Sequence, residues 1–168
     1  MIIFEKTLDG AGRSGLERFA REAQRLAGVR GEVAVLVAGR RRIQELNRRF
    51  RRKNKPTDVL SFPSEDGGDI AICAEIARDN ARRFGHSAAE ELKVLVLHGM
   101  LHLAGYDHEA DHGEMARKEV RLRARLKLPA SLIDRTASPV RRKASPSRTV
   151  RLAAEPRSSR QPRPGRKR

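Results

Sequence analysis

His98, His102 and His108 stand in the run H-G-M-L-H-L-A-G-Y-D-H at 98–108, which holds three of the chain's five histidines. On a helix, residues four apart share one face and lie roughly 6 Å apart along the axis, so His98 and His102 can converge on one ion. Gly105 can take the left-handed conformation that ends a helix and turns the chain back, which brings in His108 as a third ligand. Three neutral ring nitrogens with one open position describe a catalytic zinc site, whereas a structural site closes its fourth position. No further Cys or His stands at a suitable spacing: His112 reads as a solvated residue at a helix start, and His86 as a surface residue. Asp107, beside the third ligand, either accepts a ring-nitrogen proton from one of the histidines or caps the helix that follows. Tyr106, the single tyrosine, packs against the site. Zinc suits the donor set best, although three histidines also accept nickel, copper or iron.

The spacing H-x3-H-x2-G-x2-H also occurs in metzincin proteases. There a glutamate follows the first histidine and takes a proton from the activated water. Here that position is Gly99, so a peptidase would need its base from elsewhere. A second cluster turns the chemistry toward phosphodiesters: residues 40–55 hold nine Lys or Arg and one acid, Glu45. Such a run can be a solvated helix face. Read functionally, it is a cationic surface that grips phosphates and releases counterions, with Arg suited to bidentate contacts.

The elements that must position these groups follow from periodicity. Residues 1–8 read as a short strand, and Leu16, Phe19, Ala20, Ala23, Leu26 and Ala27 define a helix over 14–27. E-V-A-V-L-V-A at 32–38 reads as a buried strand bounded by glycines. A second helix spans 40–50, with Ile43, Leu46 and Phe50 inward. Strands at 59–62, closed by Pro63, and at 69–74 lie near enough to form a hairpin across an Asp66-Gly67-Gly68 turn. Helices follow at 75–84, at 88–104 behind a Ser87/Glu90 capping box, and at 111–126 with Met115, Val120, Leu122 and Leu126 inward. The expected fold is α/β or α+β: a small mixed sheet of about four strands covered by helices, with a zincin-like helix carrying the first two histidines.

At 168 residues the chain has room for one domain and an extension. The net charge of +16 is uneven, because residues 135–168 hold 12 of the 37 Lys and Arg and one acid, Glu155. A metal-dependent domain over 1–134 and a disordered basic tail over 135–168 are therefore expected. Cys73 is the only cysteine, which excludes an internal disulfide or a cysteine-built metal site; it packs as a small apolar residue. No apolar run reaches a membrane span and the N-terminus lacks signal-peptide character, so the cytoplasm is the expected compartment.

N-R-R-F-R-x4-P-T-D-V-L-S-F-P at 47–63, G-D-I-A-I at 68–72 and the histidine run at 98–108 together resemble the YbeY family over about residues 1–130. The resemblance implies a single-strand endoribonuclease with zinc on His98, His102 and His108 and a functional arginine at Arg51. It also implies the 3′ end of small-subunit (16S) ribosomal RNA as target, with a role in ribosome quality control. On that basis zinc would activate water and polarise a phosphoryl oxygen, Arg51 would offset charge developing at phosphorus, and the attacking group is either water or the RNA 2′-hydroxyl. The absent glutamate leaves a second class open, a zinc-containing RNA-binding assembly factor with little catalysis, and a metalloprotease stands behind both.

Overall fold

Val33, Val35 and Val37 point to one side of a strand and Leu36 and Ala38 to the other, and both sides are covered. The computed structural model describes residues 1–8, 10–108 and 110–129; the expected tail over 135–168 and its boundary lie outside the described residues. The elements run β1 (Ile2–Phe4), α1 (Arg13–Ala27), β2 (Glu32–Ala38), α2 (Arg40–Arg51), β3 (Val59–Ser64), β4 (Gly67–Cys73), α3 (Ala74–Phe84), α4 (Ala88–Leu103) and α5 (Glu114–Leu126). The sheet order is β1-β2-β4-β3. β1, β2 and β4 are parallel, while β3 runs antiparallel to β4 and forms the edge. This is the mixed four-stranded sheet expected of the sequence.

One face of the sheet, with Val35, Val37, Ile70 and Ile72, packs on α1, α4 and α5. The other, with Leu60, Ala71 and Cys73, packs on Ile43 of α2. Helix α4 is apolar on nearly every side, from Leu92 through Leu101, because it runs through the middle of the larger layer. It begins with the expected capping box: Ser87 Oγ accepts from the Glu90 N–H, and Glu90 accepts from the Ser87 N–H. It ends at Gly105 (φ 88°), where the Tyr106 and Gly105 N–H groups donate to the Leu101 and His102 carbonyls and turn the chain back across the helix end.

Several expectations change. β1 is shorter than 1–8, ending where the Glu5 and Lys6 N–H groups both reach the Val37 carbonyl. Pro63 does not close β3 but lies within it. The Cys73 N–H donates to the Asp58 carbonyl, so positions 58, 60, 62 and 64 face β4 and Pro63 faces outward, where its missing N–H costs nothing. Gly67 and Gly68 belong to β4 rather than to the turn. A Cβ on Gly67 would lie 1.9 Å from the Glu32 carbonyl oxygen, so glycine lets β4 close on β2. Helix α5 starts at Glu114 instead of 111 because Gly113 sits at φ 86°. Phe50 and Val120, expected inward, are 55% and 53% exposed. The Phe50 ring at the end of α2 meets Phe62 of the edge strand at 62°, and α5 turns Glu119 inward in place of Val120.

Candidate metal centre

His98 is buried by the apolar helix around it, and His102 follows one turn later, half-buried at the helix end. The Gly105 turn then carries His108 back over both. Nitrogen atoms of the three rings lie within 4.8 Å of one another, and Nε2 of His98 is 3.2 Å from Nε2 of His102. Ring nitrogens at ~2.0–2.1 Å from a tetrahedral ion are about 3.3 Å apart, so this pair is already spaced to share one. Burial, and then the neighbouring His98 and His108, pull His102 down from 6.5 to about 4, against a smaller opposing influence of Asp107. A ring held neutral keeps the lone pair that ligation requires. Nδ1 of His108 is buried without a hydrogen-bond partner among the described residues. The cluster could hold a metal ion.

The sequence does not announce what lies behind His98. Its Nδ1 is 3.2 Å from Oε2 of Glu119, which is 1% exposed, and Arg123 Nη1 is 3.4 Å from the other oxygen. An ionised carboxylate only accepts, so Nδ1 carries the proton and Nε2 keeps its lone pair toward the cluster. A faint signal existed: Glu119 and Arg123, four apart, share the stripe of Met115 and Leu122 on α5. Asp107, by contrast, is exposed at the rim. The cap of α5 is made by Asp111, whose carboxylate accepts from the N–H groups of Gly113 and Met115. His86, expected on the surface, is half-buried, with its side chain 7% exposed, and bonds Glu91 at 2.6 Å, while His112 is exposed as expected.

Arg51 and the three histidines line one cleft of about 540 Å³, together with Lys53, Lys55 and Tyr106. Arg51 Nη2 donates to the Ser61 carbonyl across the free side of β3. The loop after α2 is pinned from below: Asn47, 3% exposed, donates to the Lys55 carbonyl, and Gln44 donates to Asn54. Arg52 ends α2 in the left-handed region at φ 57°. These contacts hold the basic loop at the cleft rim. Gly99 faces the other way, where a Cβ would stand 2.9 Å from Ile70 Cδ1 and Cγ2. Any side chain there meets the sheet, which explains physically why the peptidase glutamate is missing.

A mixed sheet backing a helix-and-turn histidine triad, with a cationic wall opposite, defines a candidate single-metal hydrolase. The family model described as endoribonuclease YbeY matches residues 5–127, and the chain belongs to that family. A relative from Koribacter versatilis named endoribonuclease YbeY is 53% identical over 147 residues, covering 86% of this chain and 97% of its own length. One of the same name from Solibacter usitatus is 48% identical over 139 residues, covering 82% and 95%. The solution structure of TM1509 from Thermotoga maritima matches with a TM-score of 0.52 at 33% identity, covering 76% of this chain and 92% of that one. Among the described residues, no helix is long and apolar enough to cross a membrane.

Proposed function

We propose that the chain is a metal-dependent endoribonuclease acting on single-stranded RNA in the cytoplasm. The target this reading assigns is the 3′ end of small-subunit ribosomal RNA. The observation that carries the reading is one cleft that joins three converging imidazoles to Arg51, Lys53 and Lys55 in a chain of this family. His98, His102 and His108 would hold the ion, with zinc the best match to an all-imidazole set. When bound, such an ion supplies Lewis-acid polarisation of a phosphoryl oxygen and lowers the pKa of water. Glu119 fixes the His98 tautomer, and Asp107 tempers the charge around His102. Arg51, tethered by the Ser61 carbonyl, presents a guanidinium that offsets charge building at phosphorus, while Lys53 and Lys55 take flanking phosphates.

A peptidase reading meets two obstacles. Gly99 leaves no room for a base, and the free edge of β3, along which a peptide would add as a strand, is blunted. Its Val59 N–H is taken by Asp58, its Ser61 carbonyl by Arg51, and Pro63 has no N–H.

Cleavage of a single-stranded RNA by metal-loaded protein tests the proposal, with His102→Ala and Arg51→Ala beside it. Loss of at least about a hundredfold in rate in both variants is expected, given what one positioned charge or donor contributes. If the wild type cleaves no faster than His102→Ala while both bind RNA, the chain is an RNA-binding assembly factor instead.

A further inference from the structure

Phe50 is a large apolar residue left more than half exposed. It follows Ile43 and Asn47 on the inner stripe of α2, yet the residue is 55% exposed. The ring is not loose, since Phe62 of β3 meets it edge to face, centroids 5.1 Å apart at 62°. The Arg49 guanidinium lies 5.2 Å from its centroid. Arg48, Arg49, Arg51 and Arg52 flank it in sequence, where no acid occurs from Leu46 to Thr57. The arginines beside the ring favour an occupant that is anionic as well as flat or apolar, although Asp69 stands opposite Phe62 across β3 and β4. Arg51, the next residue, lines the histidine cleft, so the ring adjoins the cleft's cationic wall.

From this juxtaposition we infer that Phe50, braced by Phe62, is a stacking platform for one unpaired nucleobase of an RNA strand whose phosphates follow Arg51 into the cleft. The inference rests on the endoribonuclease reading for its ligand and adds a subsite to it. A guanidinium over an aromatic face exchanges readily for a base, because both are planar and both are drawn to the π-cloud. Duplex bases are already stacked and paired, so the platform serves single strands alone. It supplies a physical origin for strand selectivity at a residue outside the metal cluster.

The test compares binding of the full metal-loaded chain to a short single-stranded oligonucleotide with binding to an abasic strand carrying the same number of phosphates. Wild type should prefer the base-bearing strand by about tenfold, within the range that one base–aromatic stack contributes. Phe50→Ala and Phe50→Leu should both abolish that preference while leaving affinity for the abasic strand and for duplex RNA within about twofold. Phe50→Trp should retain or strengthen it. Phe84→Ala, which removes another exposed ring under an arginine, should change nothing. An unchanged preference in Phe50→Leu overturns the platform, as does an equal loss for duplex. So does a polyglutamate peptide that binds wild type at comparable affinity and is lost in Phe50→Ala. These outcomes stand apart from cleavage: a chain that never cuts RNA but shows the preference keeps the platform and loses the nuclease reading.

Discussion

His98 meets two demands with one ring. Its Nδ1 is committed to Glu119 and its Nε2 to the cluster, so the carboxylate sets both the tautomer and the ring's orientation. Glu119→Gln keeps the shape but removes the charge that makes the imidazole a stronger ligand. We expect metal affinity, read by chelator competition, to fall about tenfold; a change under twofold would show that Glu119 only fills space. His98→Ala should leave less than about a tenth of the bound metal by elemental analysis, because two imidazoles no longer make a catalytic-type site. The histidines were legible in the sequence because i, i+4 spacing and a helix-ending glycine dictate convergence. Glu119 was not. A charged residue on an amphipathic stripe normally faces water, and the buried pairing with Arg123 and His98 helps make its inward position tolerable. Phe50 departs in the opposite sense: its spacing belongs to the inner face, but the residue is left 55% exposed with Phe62 packed against its ring.

At the scale of elements, α4 must lie close enough to β4 for His98 to sit beneath the cleft floor, and Gly99 sets that approach. Gly99→Ala gains about 1 kcal/mol of helix propensity. It also drives a methyl into Ile70, which is fully buried and cannot retreat, at a cost of ~1–3 kcal/mol. Net destabilisation of about 1 kcal/mol in urea unfolding is expected, with Ile70→Val relieving it; a Gly99→Ala chain as stable as wild type would refute the close-packing argument. The caps predict a pH dependence. The Glu90 carboxyl is lowered from 4.5 chiefly by the Ser87 N–H, and that of Asp111 from 3.8 chiefly by the Met115 N–H. Carboxyls depressed in the folded state contribute stability that is present above their ordinary values and lost as pH falls through the lowered ones. The melting temperature should therefore drop on acidification below about pH 4.5, and less steeply in Glu90→Gln. The capping box and the terminal glycine were both readable, since each is local chemistry. The places of Pro63, Gly67 and Gly68 were not, because they depend on which strand lies beside them.

At the scale of the whole molecule, charge is divided unevenly. Residues 1–134 carry 25 Lys and Arg against 20 acids, so their binding power comes from arrangement: the cationic wall facing the histidines. Residues 135–168 carry 12 Lys and Arg against Glu155 alone, an excess that needs no particular shape to attract a polyanion. Each phosphate neutralised on a single strand steepens the fall of log K with log salt by ~0.7. If half of those twelve cations reach phosphates, removing 135–168 should flatten the slope by about 4 while metal stoichiometry stays the same. The preference for base-bearing over abasic strands should survive as well, because Phe50 lies in α2. Affinities measured for both chains from about 50 to 200 mM salt decide the matter. Parallel lines would mean that the extension's charge plays no part in holding RNA, and that the cleft wall supplies all of the electrostatic attraction.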